Sequence, residues 1–275
     1  MILLPLIPFI FGILGLIVGS FLNVVVMRFG KQHLGGRSAC PQCKKTLTWY
    51  ELIPVVSYLV QRGLCRKCKA SISAQYPIVE IITGVLFYFA SIMMIYAWNP
   101  EAIVLSILLG ISLFIIISFI VLISVYDTRY QLIPNRWFLG LVITSIIYLV
   151  FWYIQQGYDA SFVPEILLFH SVGLLIALPF LVIWLFSKGR WMGFGDILLI
   201  GWIGLFFGLW LGVSSVFLGI YVGGLFALGM ILVKRIQGIS YATLRTTRIA
   251  FGPFILIGWI LTEIFFIDIF SWFIF

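Results

Sequence analysis

Six side chains in this sequence have types and spacings suited to chemistry: four cysteines and two aspartates. Cys40-Pro-Gln-Cys43 and Cys65-Arg-Lys-Cys68 form a C-x2-C-x21-C-x2-C pattern that uses every cysteine in the chain. Four thiolates at this spacing suit one tetrahedral zinc ion. Zinc would supply folding free energy to a segment too short for a sizeable apolar core. Lys44, Lys45, Arg66, Lys67 and Lys69 flank the pairs and would offset the negative charge of a four-thiolate site. Four protein ligands leave no open position, so such an ion is structural. Two rival readings are a pair of disulfides and a membrane thiol oxidoreductase with two redox C-x-x-C pairs. Both suit an oxidising compartment, and the segment is placed below on the reducing side.

The two aspartates stand apart because ionisable groups at membrane depth are functional candidates by default. Asp127 lies in Ser124-Val-Tyr-Asp-Thr-Arg-Tyr-Gln-Leu-Ile-Pro-Asn135, and Asp196 in Gly193-Phe-Gly-Asp-Ile-Leu198. Pro134 should end local helix near Asp127 and set the turn into the next span. Gly193 and Gly195 remove side chains beside Asp196, so a backbone or a peptide can approach closely. Two converging carboxylates can share one proton. One then serves as general base toward water and the other as general acid toward a scissile carbonyl and leaving amine. A competing structural reading exists for each. Asp196 stands where a helix N-terminus favours negative charge, and Asp127 could pair with Arg129 or Arg136.

What must position these groups is a membrane. The chain has 275 residues, of which 63% are hydrophobic and 9% charged. Soluble domains are nearer half apolar and a quarter charged, so an ordinary soluble enzyme and a disordered chain are both excluded. The net charge of +8 is accordingly a membrane signal and not a nucleic-acid signal. A span needs about 20 apolar residues. The sequence predicts an all-α polytopic membrane protein with about eight spans, near 3–27, 78–96, 102–125, 137–153, 166–186, 197–209, 213–233 and 254–274. The sixth is short and runs almost into the seventh, with Gly208 to Gly212 as the only turn between them. A long first apolar run with no basic residue before it is a poor signal peptide. No internal repeat and no low-complexity linker is evident. Three segments follow: a first span (1–27), a small zinc-binding loop (28–75) and a seven-helix core (76–275).

Orientation follows from Lys and Arg. All 17 lie in four loops, 28–75, 126–136, 187–196 and 234–253, with nine in the first. Eight spans put these four loops on one side. The opposite connections hold Glu101, Asp159 and Glu165 and no basic residue. The basic loops are therefore read as cytoplasmic, where they serve as topology determinants and headgroup contacts. Asp127 and Asp196 then lie near the same cytoplasmic boundary.

At these residues the sequence resembles the type IV prepilin leader peptidases, the bifunctional peptidase and N-methyltransferase family. The resemblance covers essentially the whole chain. It is carried by Gly19-Ser-Phe-Leu-Asn-Val-Val-Val-Met-Arg28, the paired C-x-x-C motifs, Tyr76-Pro-Ile-Val-Glu-Ile-Ile-Thr-Gly84, the two aspartates, and Ala250-Phe-Gly-Pro-Phe254. Asp127 and Asp196 fall on the family's catalytic pair. Asn135 departs from the Asp that many members carry after the Leu/Ile-Pro pair. The resemblance implies an enzyme of the bacterial inner membrane. It would cut the short basic leader from prepilins or pseudopilins on the cytoplasmic side. It would then methylate the new N-terminus with S-adenosylmethionine. No glycine-rich nucleotide loop is present, and spacing identifies no residue for the methyl donor.

Other acidic and histidine residues carry weaker readings. Glu51 and Glu80 could meet a substrate amine or leader, or could be satisfied by a nearby Lys or Arg. His33 and His170 have no partner at catalytic spacing and read as non-catalytic. Two alternatives for the whole protein are another Gly-x-Gly-Asp membrane peptidase and a proton- or cation-coupled transporter. Glu263 and Asp268 would be the remaining polar groups of a transport path.

Overall fold

A computed structural model describes residues 4–30, 36–237 and 249–269. His33, Lys31, Arg245, Arg248 and the end of the last expected span lie outside the described residues. The chain divides into two compact units, Met1–Val125 and Tyr126–Phe275. Among the described residues the structure is helical, with only two isolated β-bridges. Six helical stretches are long and apolar enough to cross a membrane, so the protein is a multi-pass membrane protein.

The first unit holds α1 (Ile7–Arg28), the loop module with its short helix α2 (Val56–Val60), α3 (Gln75–Tyr96) and most of α4 (Ile103–Tyr130). In lipid, apolar contact with a neighbour is no better than contact with acyl chains, so close backbone packing carries association. Gly15 and Gly19 provide it here. A Cβ on Gly15 would lie 2.6 Å from the Thr83 carbonyl oxygen, and one on Gly19 would lie 2.9 Å from Glu80 Cα. Asn23 Nδ2 donates to the Tyr76 carbonyl at 3.2 Å and ties the loop-side ends of α1 and α3 together. Phe114 of α4 stacks on Phe11 and meets Phe87 at a tilt of 34°, with ring centroids 4.7 Å apart in each pair.

The second unit contains the end of α4, α5 (Asn135–Gln155), α6 (Val163–Gly173), α7 (Ala177–Ser187), α8 (Phe194–Ile236) and α9 (Gly252–Glu263). A 3-10 step over Leu174–Ile176 joins α6 to α7 within one apolar stretch. The 43 residues of α8 are interrupted at Gly208, which has φ 75 and ψ −168. Residues 204 and 212 would be about 12 Å apart in an unbroken helix. A Cβ on Gly212 would instead lie 3.1 Å from Gly204 Cα. The chain therefore folds back at Gly208, the first residue of the expected turn, and α8 comprises the sixth and seventh expected spans. Phe169 packs where a side chain at 208 would go, so glycine meets both the backbone and the space requirement.

The expected eighth span, 254–274, is corrected. Its helix starts at Gly252 and ends at Glu263, about 18 Å long and short of a full span. Phe266 adopts a left-handed φ of 54, and Ile267 N–H returns to the Leu261 carbonyl at 3.0 Å. The left-handed residue turns the chain back over the end of the helix, and phenylalanine takes a conformation that favours glycine. Helix α9 runs antiparallel to the second half of α8. Gly219 faces Phe254 and Gly258 faces Ser215 at backbone contact. Trp202, Phe206 and Trp259 form the aromatic core between α8 and α9, and Trp202 Nε1 donates to Ser145 Oγ of α5 at 2.9 Å.

Candidate active site and metal centre

Asp127 occupies the last turn of α4 and Asp196 the first turn of α8. The helix carrying Asp127 ends at Tyr130, followed by left-handed Gln131 (φ 54). Pro134 then N-caps α5, and its carbonyl accepts from Trp137 and Phe138 N–H. The stop thus precedes the proline, which opens the next helix.

Asp127 is buried, and among the described residues its Oδ2 has no hydrogen-bond partner. The backbone amide of Gly252 helps offset its charge. Gly252 is the hinge of the arrangement. A Cβ there would sit 2.7 Å from Asp127 Oδ2 and 3.4 Å from Leu199 Cδ1. Leu199 shares a face of α8 with Asp196, three residues earlier. The Phe251-Gly-Pro-Phe254 segment therefore lies against both aspartate-bearing helix ends, and the Asp127 charge acts on Asp196.

Asp196 is partly exposed and takes a backbone bond from Gly193, the N-cap of α8. The capping role read from the sequence is present, and it coexists with proximity to Asp127. The two glycines differ. Gly195 allows Ile133 to pack onto α8, since a Cβ would meet Ile133 Cδ1 at 2.9 Å. Among the described residues, a Cβ on Gly193 would meet only the Asp196 carboxyl, at 3.5 Å, with open space on its other side.

Other candidates are placed elsewhere. Glu263 is about 16 Å along α9 from Gly252, and it accepts from Tyr148 Oη at 2.8 Å. His170 is buried, bonded to Tyr153 Oη at 2.9 Å and to the Leu205 carbonyl at 2.7 Å. These histidine bonds, which spacing gave no means of finding, border a cleft of about 480 Å³ lined by Leu149, Tyr153, Tyr158 and Val163. That cleft lies at the C-terminal half of α5, away from the Pro134 end.

In the loop module the four cysteine sulfurs all lie within 4.8 Å of one another. Cys40 and Cys68 Sγ are 3.8 Å apart. A tetrahedral site with metal–sulfur bonds of about 2.3 Å needs sulfurs about 3.8 Å apart, so this set can hold a metal ion. The backbone is shaped for it. Cys40 Sγ receives N–H groups of Cys43 and Gln42, and Cys65 Sγ those of Cys68 and Lys67. These donors hold the Cys65 thiol down near 6 and lower Cys40 as well, favouring the thiolate at the first cysteine of each pair, whereas, against the Ala70 amide, burial and the neighbouring thiols push Cys68 up to about 11. The two halves repeat one another. Cys40 N–H bonds the Lys45 carbonyl and Cys65 N–H the Ala70 carbonyl, beneath bridges Ala39↔Thr46 and Leu64↔Ser71. This corrects the absence of a repeat. Left-handed Lys44 (φ 58) and Lys69 (φ 59) stand where glycine would have advertised it.

Glu51 locks the first knuckle. Its carboxylate accepts from Thr48 N–H at 3.0 Å and Thr48 Oγ1 at 2.9 Å, and it pairs with Lys45 Nζ at 2.9 Å. The Thr48 amide, with Lys45, holds it down at about 2. A carboxyl depressed in the folded state stabilises above its unfolded value of 4.5 and loses that contribution as pH falls toward 2. Glu51→Gln is expected to weaken the module by about 2 kcal/mol at pH 7. The gap to wild type should begin to narrow below pH 4.5 and close only near pH 2. Hydrogen exchange of the Thr48 to Leu52 amides at both pH values checks this.

Residues 13–94 match the bacterial peptidase A24 N-terminal domain, and residues 113–228 the type IV leader peptidase family. The prepilin leader peptidase/N-methyltransferase of Neisseria gonorrhoeae is 30% identical over 284 residues, covering 91% of this chain and 88% of the relative. That of Bacillus subtilis is 30% identical over 270 residues, covering 95% and 96%. That of Pseudomonas aeruginosa is 32% identical over 279 residues, covering 90% and 87%. No solved structure matches. The matched segments take in the four cysteines and both aspartates, and each of these three relatives covers 90% or more of the chain. The chain belongs to the type IV leader peptidase family.

Proposed function

We propose that this protein is a membrane aspartic endopeptidase that removes the short basic leader of type IV prepilins or pseudopilins. It acts at the cytoplasmic face of the bacterial inner membrane, with Asp127 and Asp196 as the catalytic pair. N-methylation of the new N-terminus from S-adenosylmethionine follows. The observation that carries the reading is Gly252 seated against Asp127 Oδ2 and against Leu199, one turn beyond Asp196. It brings together two helix ends that are distant in sequence, which supports their acting as one acid–base pair. The confinement of all basic residues to four loops supports the cytoplasmic orientation.

The chemistry needs only these residues and water. One carboxylate accepts a proton as water attacks the scissile carbonyl carbon. The other, protonated, donates to the carbonyl oxygen, giving a tetrahedral intermediate. That intermediate collapses as a proton passes to the leaving amine, which departs as the new N-terminus. A substrate held in the bilayer by its apolar helix presents its cleavage point at the boundary where Asp127 and Asp196 lie, an entropic advantage. Gly193 leaves space beside Asp196 for a peptide backbone, while Gly195 and Pro134 fix the turn that frames Asp127.

The loop module 28–75 serves as a structural zinc domain, with Cys40, Cys43, Cys65 and Cys68 as ligands. It stands between the first span and a helical core that carries the peptidase site. When bound, the ion supplies folding free energy to the module.

Gly252→Ala is expected to lower kcat by about 10²-fold with KM nearly unchanged, because the added methyl displaces the Asp127 carboxyl. Circular dichroism would verify retained helix. The function itself is tested by incubating the purified protein with a prepilin in detergent, with and without S-adenosylmethionine. Mass spectrometry should show a leaderless product, one methyl group heavier only when the donor is present. An intact prepilin in both arms contradicts the proposal.

A further inference from the structure

The loop module carries an exposed apolar segment that its metal site does not explain. Leu52-Ile-Pro-Val-Val-Ser-Tyr-Leu-Val60 has no charged residue. Val56, Leu59 and Val60 are 53%, 66% and 65% exposed. Trp49, just before it, is 77% exposed. A water-facing module this small would not ordinarily leave such a patch uncovered.

The depth of the segment says what covers it. Val55 N–H donates to Glu80 Oε2 at 2.7 Å. Glu80 is the sixth residue of α3, about 7.5 Å inside the start of that membrane helix. At this level α3 presents Ile78, Ile81 and Ile82 outward, each about half exposed, as a lipid-facing collar. Val55 holds a positive φ of 61, unfavourable for a β-branched residue, and the Glu80 bond pins it there. The chain thus enters the short helix α2 at membrane depth.

Charge complements this placement. Arg62, Arg66, Lys67 and Lys69 follow the apolar segment. The one acidic residue of the module, Glu51, is engaged by Lys45. Arg66 lies over the Tyr50 ring, 5.0 Å from its centroid. An apolar dip bounded by Trp and Tyr and then by cations is the pattern of an interfacial membrane element.

We propose that residues 52–60 insert into the adjacent leaflet and that Arg62, Arg66, Lys67 and Lys69 bind the phosphates of anionic lipids. The metal module is then docked on the membrane, not standing free in water. A basic peptide is a poor occupant, because like charges would face it. The proposal rests on α1 and α3 as membrane helices and is independent of the peptidase reading.

The test uses the full chain in nanodiscs. A photoreactive benzoylphenylalanine is placed at Leu59, at lipid-exposed Ile111 or at exposed Gln42 of the first knuckle. Lipid adducts at position 59 should match those at 111 and exceed those at 42 several-fold. Adducts at 59 no higher than at 42, or adducts to a second copy or an added prepilin in their place, overturn the proposal. Hydrogen exchange gives a second readout that leaves the apolar segment intact. Protection of the 52–60 amides should rise when phosphatidylglycerol is added to phosphatidylcholine discs. That rise should vanish in the Arg62→Gln, Arg66→Gln, Lys67→Gln, Lys69→Gln variant with its metal content retained. Equal protection in both lipids for the wild type would exclude the anionic-lipid contact.

Discussion

Asp127→Asn is expected to reduce prepilin cleavage by about 10³-fold or more, and Asp196→Asn to do the same. Each amide keeps the size of its carboxyl and loses the ability to exchange a proton. Neither change should unfold the protein. Among the described residues Asp127 Oδ2 has no hydrogen-bond partner, and an amide oxygen at 127 can still face the Gly252 backbone amide, so removing the charge costs little in the folded state. Asparagine at 196 retains an oxygen to accept the Gly193 backbone bond, so the cap of α8 survives. Expression, detergent extraction and helical content should match wild type. The measurement is the initial rate of leader removal from a purified prepilin, quantified by mass spectrometry.

Cys40→Ser is expected to abolish zinc retention, and Cys65→Ser equally. Metal-linked folding in four-ligand zinc sites amounts to about 10 kcal/mol or more, and each of these thiols is the amide-stabilised anchor of its knuckle. Bound zinc, measured by mass spectrometry of the metal, should fall from about one per chain to near zero. Protease cleavage between Arg37 and Lys69 should accelerate, while the membrane helices stay protected. Full zinc content in either variant would mean that the cysteines serve another purpose. The result is separable from catalysis, since neither aspartate lies in the metal-binding unit.

Much of this architecture is legible in the sequence, for reasons that differ by element. The spans are visible because lipid demands uninterrupted apolar runs. The break at Gly208 is visible because glycine is the residue that can take φ 75. The cysteines are visible because metal geometry constrains ligand spacing. What stayed hidden depends on partners distant in the chain or on backbone that breaks the usual residue preference. Phe266 ends α9 in a conformation that favours glycine, so the eighth span read too long. The knuckle repeat was masked by lysines at left-handed positions. Gly252 is recognisable in its motif, yet nothing local says that it meets Asp127, 125 positions earlier. Glu80 reads as a substrate contact or an ion pair, whereas it binds the Val55 amide. Glu51 follows the ion-pair reading, and only structure identifies Lys45 as its partner.

The central claim is that Asp127 and Asp196 work as one acid–base pair. It is tested most directly by the cleavage rates of Asp127→Asn, Asp196→Asn and the double variant against wild type, at saturating prepilin. Groups that act as a unit are non-additive, so the double variant should be no slower than either single one. A single variant that cleaves at the wild-type rate would contradict the account and reduce that aspartate to a helix-end structural residue.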